Sequence, residues 1–187
     1  MHECLQTQGM SIYQHGEMVR DYFNDLVNHL EHDTPLQFEW RMPEWLEEYK
    51  ELLLTNLMDR EKIALYHLYH DAGKPRCLVV GEDGKRRFPN HAKVSYETWL
   101  EHSDDFEIAE LIRMDMDVHL LSAEECVRFA ERGQAATLLL TGLAEIHANA
   151  SMFGGIASIS FKSKWKHLNA RGKRILANSK FTHGVVG

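Results

Sequence analysis

The stretch DREKIALYHLYHDAGKP, residues 59–75, decides how the rest of the chain is read. Asp59 can cap a helix, and behind it Ile63, Tyr66, His67 and His70 recur at three- and four-residue steps, the spacing of one helix face. Gly73 and Pro75 then mark its end. The predicted helix thus carries a core-facing stripe that finishes in two ionisable side chains, His70 and Asp71. An ionisable group on a buried stripe is costly unless something compensates it.

Upstream, Ile12, Val19, Tyr22, Phe23, Leu26, Val27 and Leu30 predict an amphipathic helix from Ile12 to Leu30, with His15 on its buried stripe. A polar stretch (His32 to Pro43) follows, and Pro43 is placed to open a helix over Glu44 to Leu57. Downstream, Cys77 to Val80 and Lys85 to Phe88 flank the turn Gly81 to Gly84, and predict one short hairpin, the only β structure expected. Asn90 is read as the cap of a helix through Leu100. Asp104 or Asp105 caps one continuous helix through Leu120, and Ser122 with Glu125 forms a capping box for one through Glu131. Gln134 to Asn149 is apolar nearly all round and reads as a central buried helix; Gly154-Gly155 ends it, and a basic helix runs from about Ser163 to Leu176. The fold class expected is all-α, a helical bundle with one short β-hairpin, in a single domain of 187 residues.

Polar residues recur on these inward stripes. His15 shares one with Val19 and Tyr22, His70 one with Ile63 and Tyr66, and Asp115 and His119 continue that of Ile108, Leu111 and Ile112, whereas Asp117 falls off it. Inward histidines and carboxylates from several helices are how bundles build metal sites, and mixed N and O ligands suit a divalent ion such as Mn, Fe, Ni, Co, Zn or Mg.

The order His15, then Tyr69-His70-Asp71-Ala72-Gly73-Lys74-Pro75, then Phe88-Pro89-Asn90-His91, resembles the HD phosphohydrolase superfamily. Residues His70 to Pro75 are similar to the HDxGKP element of the HD domain of bacterial CCA-adding enzymes, and FPNHAKVS (residues 88–95) to the FxGHxxxG region that follows it. The resemblance implies an HD-domain helical bundle, one or two divalent ions on His15, His70 and Asp71, and hydrolysis of a phosphoester or phosphoanhydride by metal-activated water. The substrate implied is a nucleotide or a nucleic-acid end. The later Asp of the superfamily pattern, often in Leu-Ala-Asp, corresponds to Leu143-Ala144-Glu145, so Glu145 stands where aspartate is usual. Asp115 is its rival as fourth ligand and is favoured on helical phase. In a two-metal site, His91 and His119 would serve the second ion with Asp71 bridging. Lys74, three residues beyond Asp71, would meet a substrate phosphate. A catalytically weak HD-fold binding or regulatory module is the alternative.

Charge adds one more feature. The net charge is −7, but no Asp or Glu follows Glu145 while seven Lys or Arg do, so the first 145 residues carry −14 and the remainder +7. Lys162, Lys164 and Lys166, interleaved with Phe161 and Trp165, are candidate phosphate and base contacts; a solvated helix with its aromatics in the core is the other reading. Trp40 and Trp45, near Pro43, could line a substrate mouth, but as large residues beside a helix start they are read first as packing. Cys4, Cys77 and Cys126 are too few and too far apart for a disulfide framework or a Cys-based zinc site. With no secretory leader and no apolar run near the roughly 18 residues that span a bilayer, the expectation is a cytoplasmic protein without a membrane partner, compatible with a homo-oligomer.

Overall fold

The computed structural model describes residues 1–7 and 9–179. In chain order the elements are β1 (Leu5–Thr7), β2 (Met10–Ser11), α1 (Ile12–His32), α2 (Trp45–Glu48), α3 (Lys50–Thr55), α4 (Arg60–Tyr69), α5 (Lys74–Cys77), β3 (Val79–Val80) and β4 (Arg86–Arg87). There follow α6 (His91–Leu100), α7 (Phe106–Arg113), α8 (Asp117–Leu120), α9 (Ala123–Phe129), α10 (Ala135–Met152) and α11 (Ile159–Asn178). The fold is all-α with two very short antiparallel pairs, β3–β4 at the predicted hairpin and β1–β2 ahead of α1. Among the described residues, no helix is long and apolar enough to cross a membrane.

Local chemistry accounts for most helix starts. Ser11 and Gln14 cap α1 reciprocally, the Ser11 N–H donating to Gln14 Oε1 (2.9 Å) and the Gln14 N–H to Ser11 Oγ (3.1 Å). Asp59 accepts from the N–H groups of Glu61 and Lys62, and Asp105 from those of Glu107 and Ile108, so Asp105 rather than Asp104 caps α7. The predicted Ser122–Glu125 box is present. Asn90 precedes α6 but its side chain makes no cap bond; it takes the left-handed backbone (φ 55°) instead.

Three expected helices differ most in their bounds. Glu44 to Leu57 divides at Tyr49, whose backbone (φ −114°, ψ 19°) leaves the helical region, giving α2 and α3. The continuous helix expected through Leu120 stops at Arg113, turns over residues 114–116 and restarts as α8. The basic helix begins at Ile159, because Ser158 accepts the Phe161 N–H and supplies the cap after the positive-φ pair Gly154-Gly155.

The chain forms two compact units, each made of two stretches. The first comprises Met1–Arg20 and Asp59–Met116, the second Asp21–Met58 and Asp117–Gly187. In the first, α4 and α6 pack on α7 around Ile12, Ile63, Tyr66, Ile108, Leu111 and Ile112, all buried. In the second, α11 packs on α8, α9, α10 and α2, and the apolar α10 lies in the core with Leu138, Leu139, Leu140 and Leu143 buried, as its composition predicts. Trp45 is buried in that unit, and Trp40 donates its indole N–H to Asp25 Oδ2 (2.9 Å), so both tryptophans serve packing.

Candidate metal centre

His70 caps the C-terminal end of α4 and is almost wholly buried. Its Nδ1 lies 2.7 Å from the carbonyl oxygen of His67, an acceptor only, so Nδ1 carries the proton and Nε2 the lone pair of the neutral ring. That Nε2 stands 3.2 Å from Asp71 Oδ2. The separation is about that of two cis ligands on one ion with bonds of about 2.1 Å. The fully buried ring of His15 on α1 lies beside it, with centroids 5.5 Å apart.

Asp71 sits in the turn after α4, 1% exposed. Lys74 Nζ donates to its Oδ2 at 2.5 Å and to Gln6 Oε1 on β1 at 3.0 Å, and the same ammonium lies 5.3 Å from the Phe88 ring centre. Asp71 Oδ1 accepts no hydrogen bond among the described residues and faces His91 Nε2 at 3.7 Å. His91 directs its Nδ1 at the Phe88 carbonyl (3.1 Å), which turns Nε2 toward Asp71. Burial alone would push the Asp71 carboxyl up, but the neighbouring His70, the Lys74 ammonium and His15 outweigh it and hold the group well below the usual carboxylate range.

Two glycines let these elements meet. A Cβ on Gly16 would come within 2.6 Å of the His67 carbonyl oxygen, so only glycine lets α1 lie this close to α4 and bring His15 beside His70. A Cβ on Gly73 would stand 2.3 Å from the Ser95 backbone nitrogen, and the Gly73 N–H donates to Ser95 Oγ (2.9 Å), which fixes the turn carrying Asp71 and Lys74 against α6. Sequence reasoning gave Gly16, Ser95 and Gln6 no role. Only Ser95 lay in a motif already singled out, since close approach between distant segments leaves no local periodicity.

The other candidates have contacts of their own. Asp115 is buried, but in the turn between α7 and α8, and its Oδ1 accepts the Tyr66 hydroxyl at 2.6 Å. The helical-phase argument that joined Asp115 and His119 fails, because it required one continuous helix. His119 and Glu145 belong to the second unit, where His119 Nε2 and Glu145 Oε2 are 3.0 Å apart. Asp117, off the predicted stripe, pairs with Arg132 at 3.0 Å.

On α11, Lys162, Lys164 and Lys166 are exposed. Phe161 is buried against His147 with ring centres 4.8 Å apart, and Trp165 lies under the Arg41 guanidinium (4.1 Å) while donating its indole N–H to the Arg41 carbonyl. The aromatics of this run are therefore engaged in packing, and the lysines alone face solvent.

In the first unit the convergent group is His15, His70 and Asp71, with Lys74 and His91 beside the same carboxylate. Two imidazoles and a carboxylate form a donor set that borderline divalent cations accept. Comparison with family models, with curated proteins and with solved structures returns no match for this chain.

Proposed function

We propose that this chain is an HD-type, metal-dependent phosphohydrolase acting on a nucleotide or a nucleic-acid terminal phosphate. The observation that carries the reading is the approach of His70 Nε2 to Asp71 Oδ2 at 3.2 Å in a buried pocket that also holds His15 and the Lys74 ammonium. A structural ion pair alone gives no reason for two further imidazoles, His15 and His91, beside one buried carboxylate.

A divalent cation would be held by His15, His70 and Asp71, and would supply Lewis acidity at a phosphoryl oxygen and a water of lowered pKa. The residues do the rest. The His67 carbonyl fixes the His70 tautomer and ring plane, the role such outer contacts play for ligating histidines. Lys74, steadied by Gln6, holds positive charge where charge develops on the transferred phosphoryl oxygens. His91 turns its Nε2 toward Asp71 Oδ1, where it would serve as a further ligand group. Asp115 with Tyr66 forms a supporting buried pair; the part of Glu145 as later carboxylate rests on the resemblance of Leu143-Ala144-Glu145.

The test is metal content by elemental analysis after purification without added metal, followed by phosphate, pyrophosphate and triphosphate release from a nucleotide panel. Bound divalent metal with turnover that needs both His70 and Asp71 is expected. Metal binding without turnover on any nucleotide would favour the HD-fold binding module, and neither metal nor turnover would remove the reading.

A further inference from the structure

The second unit has a cavity of about 190 Å³ between α9 and α11, and its walls are basic. His167, Arg171 and Arg174 stand four and three residues apart, on one face of α11, and line it together with Leu121 and Cys126. No carboxylate and no Phe, Tyr or Trp belongs to the lining.

The two arginines differ from others in the chain. Arg76, Arg87, Arg113 and Arg132 each reach a carboxylate, at Glu101, Asp83, Glu110 and Asp117. Arg171 instead donates its Nε–H to the Leu121 carbonyl at 2.7 Å, which holds the guanidinium against the cavity wall; its terminal nitrogens, and the whole Arg174 guanidinium, have no protein partner among the described residues. Their field reaches the cavity: burial raises the Cys126 thiol, the charges of Arg171 and Arg174 pull it back down, and Glu125 on α9 opposes them more weakly. Two such forks, neither of them paired with a carboxylate and one of them anchored, match the oxygens of a tetrahedral anion.

We propose that this cavity is a phosphate site, taking a phosphate dianion through Arg171 and Arg174, with His167 at its edge. Because no Phe, Tyr or Trp lines it, the site recognises the phosphate rather than a base. The exposed lysines of the same helix contribute only a diffuse field. The site uses none of the residues proposed for the metal centre and does not depend on it.

The experiment is calorimetric titration of the full chain, dialysed against a chelator and returned to chelator-free buffer, with inorganic phosphate and, in a second arm, with a nucleoside 5′-monophosphate. Similar affinity for both is expected, and binding of the nucleotide without binding of phosphate would overturn the proposal. The Arg171→Gln/Arg174→Gln double variant should lose roughly tenfold or more in affinity, the effect of removing charge-assisted bonds. Arg174→Gln alone, which breaks no protein contact, should lose a measurable part of this and guards against misfolding of the double variant. Lys162→Gln/Lys166→Gln removes the same charge from the same helix outside the cavity and should bind as wild type. An equal loss in that control, or no phosphate binding by the wild-type chain, overturns the site.

Discussion

The Tyr66 hydroxyl donates to Asp115 Oδ1 at 2.6 Å inside the first unit, joining α4 to the turn that ends α7. This bond gives the buried Asp115 carboxylate a structural task. Tyr66→Phe should lower stability by about 1–3 kcal/mol, the cost of removing a hydrogen bond to a buried charged acceptor. Asp115→Asn should likewise destabilise while retaining bound metal. Denaturant unfolding and elemental analysis on the same preparations check both; loss of metal in Asp115→Asn with unchanged stability would make it a ligand.

His70→Ala and Asp71→Ala are expected to abolish bound metal and phosphate release while the far-ultraviolet circular dichroism stays near wild type. Both residues lie at the end of α4, where they serve the pocket more than the helix. Turnover equal to wild type in Asp71→Ala would end the metal-hydrolase reading.

Lys74→Ala should lower kcat more than it raises KM. Its contact strengthens as charge accumulates on the phosphoryl oxygens, and an interaction realised in the transition state is read in kcat. The effect should persist at high ionic strength, since Lys74 is only 7% exposed and salt screens buried pairs weakly. Steady-state kinetics across a salt series decides it.

Gly73→Ala places a methyl group against the Ser95 backbone rather than against a flexible side-chain end. A cost of about 1–3 kcal/mol and a displaced Asp71 turn are expected, so metal affinity should fall with stability. Gly133→Ala is the control, having nothing within 4 Å of the added carbon, and should change stability by less than about 1 kcal/mol. Thermal unfolding of the two variants in parallel makes the comparison.

His147 gives a prediction in pH. In the second unit its Nδ1 faces the Leu143 carbonyl (2.7 Å) and its Nε2 accepts the Arg41 N–H (3.0 Å), so the neutral ring satisfies both contacts. Burial lowers its pKa from 6.5 to about 4, against the opposing pull of the Leu143 carbonyl. Between these values the unfolded chain binds the proton and the folded one does not, so stability falls as pH drops from about 6.5 toward 4 and levels below. The full effect is on the order of 3 kcal/mol. His147→Gln should flatten that part of a stability-versus-pH curve, and an unchanged slope would assign the loss to other groups.

How much of this was legible in the sequence depends on the range of the interactions concerned. The stripe from Ile12 to Leu30, the caps at Asp59 and Ser122, the hairpin turn and the apolar α10 were all readable, because each is set by residues within about one turn of each other. The same locality located His70 and Asp71 at a helix end. It also misled: the stripe through Ile108, Leu111 and Ile112 gave no sign that α7 stops at Arg113, so Asp115 was assigned by phase to a helix that does not reach it.

What only the tertiary structure decided are the meetings between distant segments. Gly16 is unremarkable until the His67 carbonyl lies within 2.6 Å of where its Cβ would be, and Gln6 has no role until β1 brings it to Lys74. The basic tail looked uniform in sequence, yet packing buries Phe161, leaves Lys162, Lys164 and Lys166 in solvent, and turns Arg171 and Arg174 to a cavity. Charge and periodicity are properties of a segment, whereas a site is a property of the atoms that the fold brings within a few ångströms of one another.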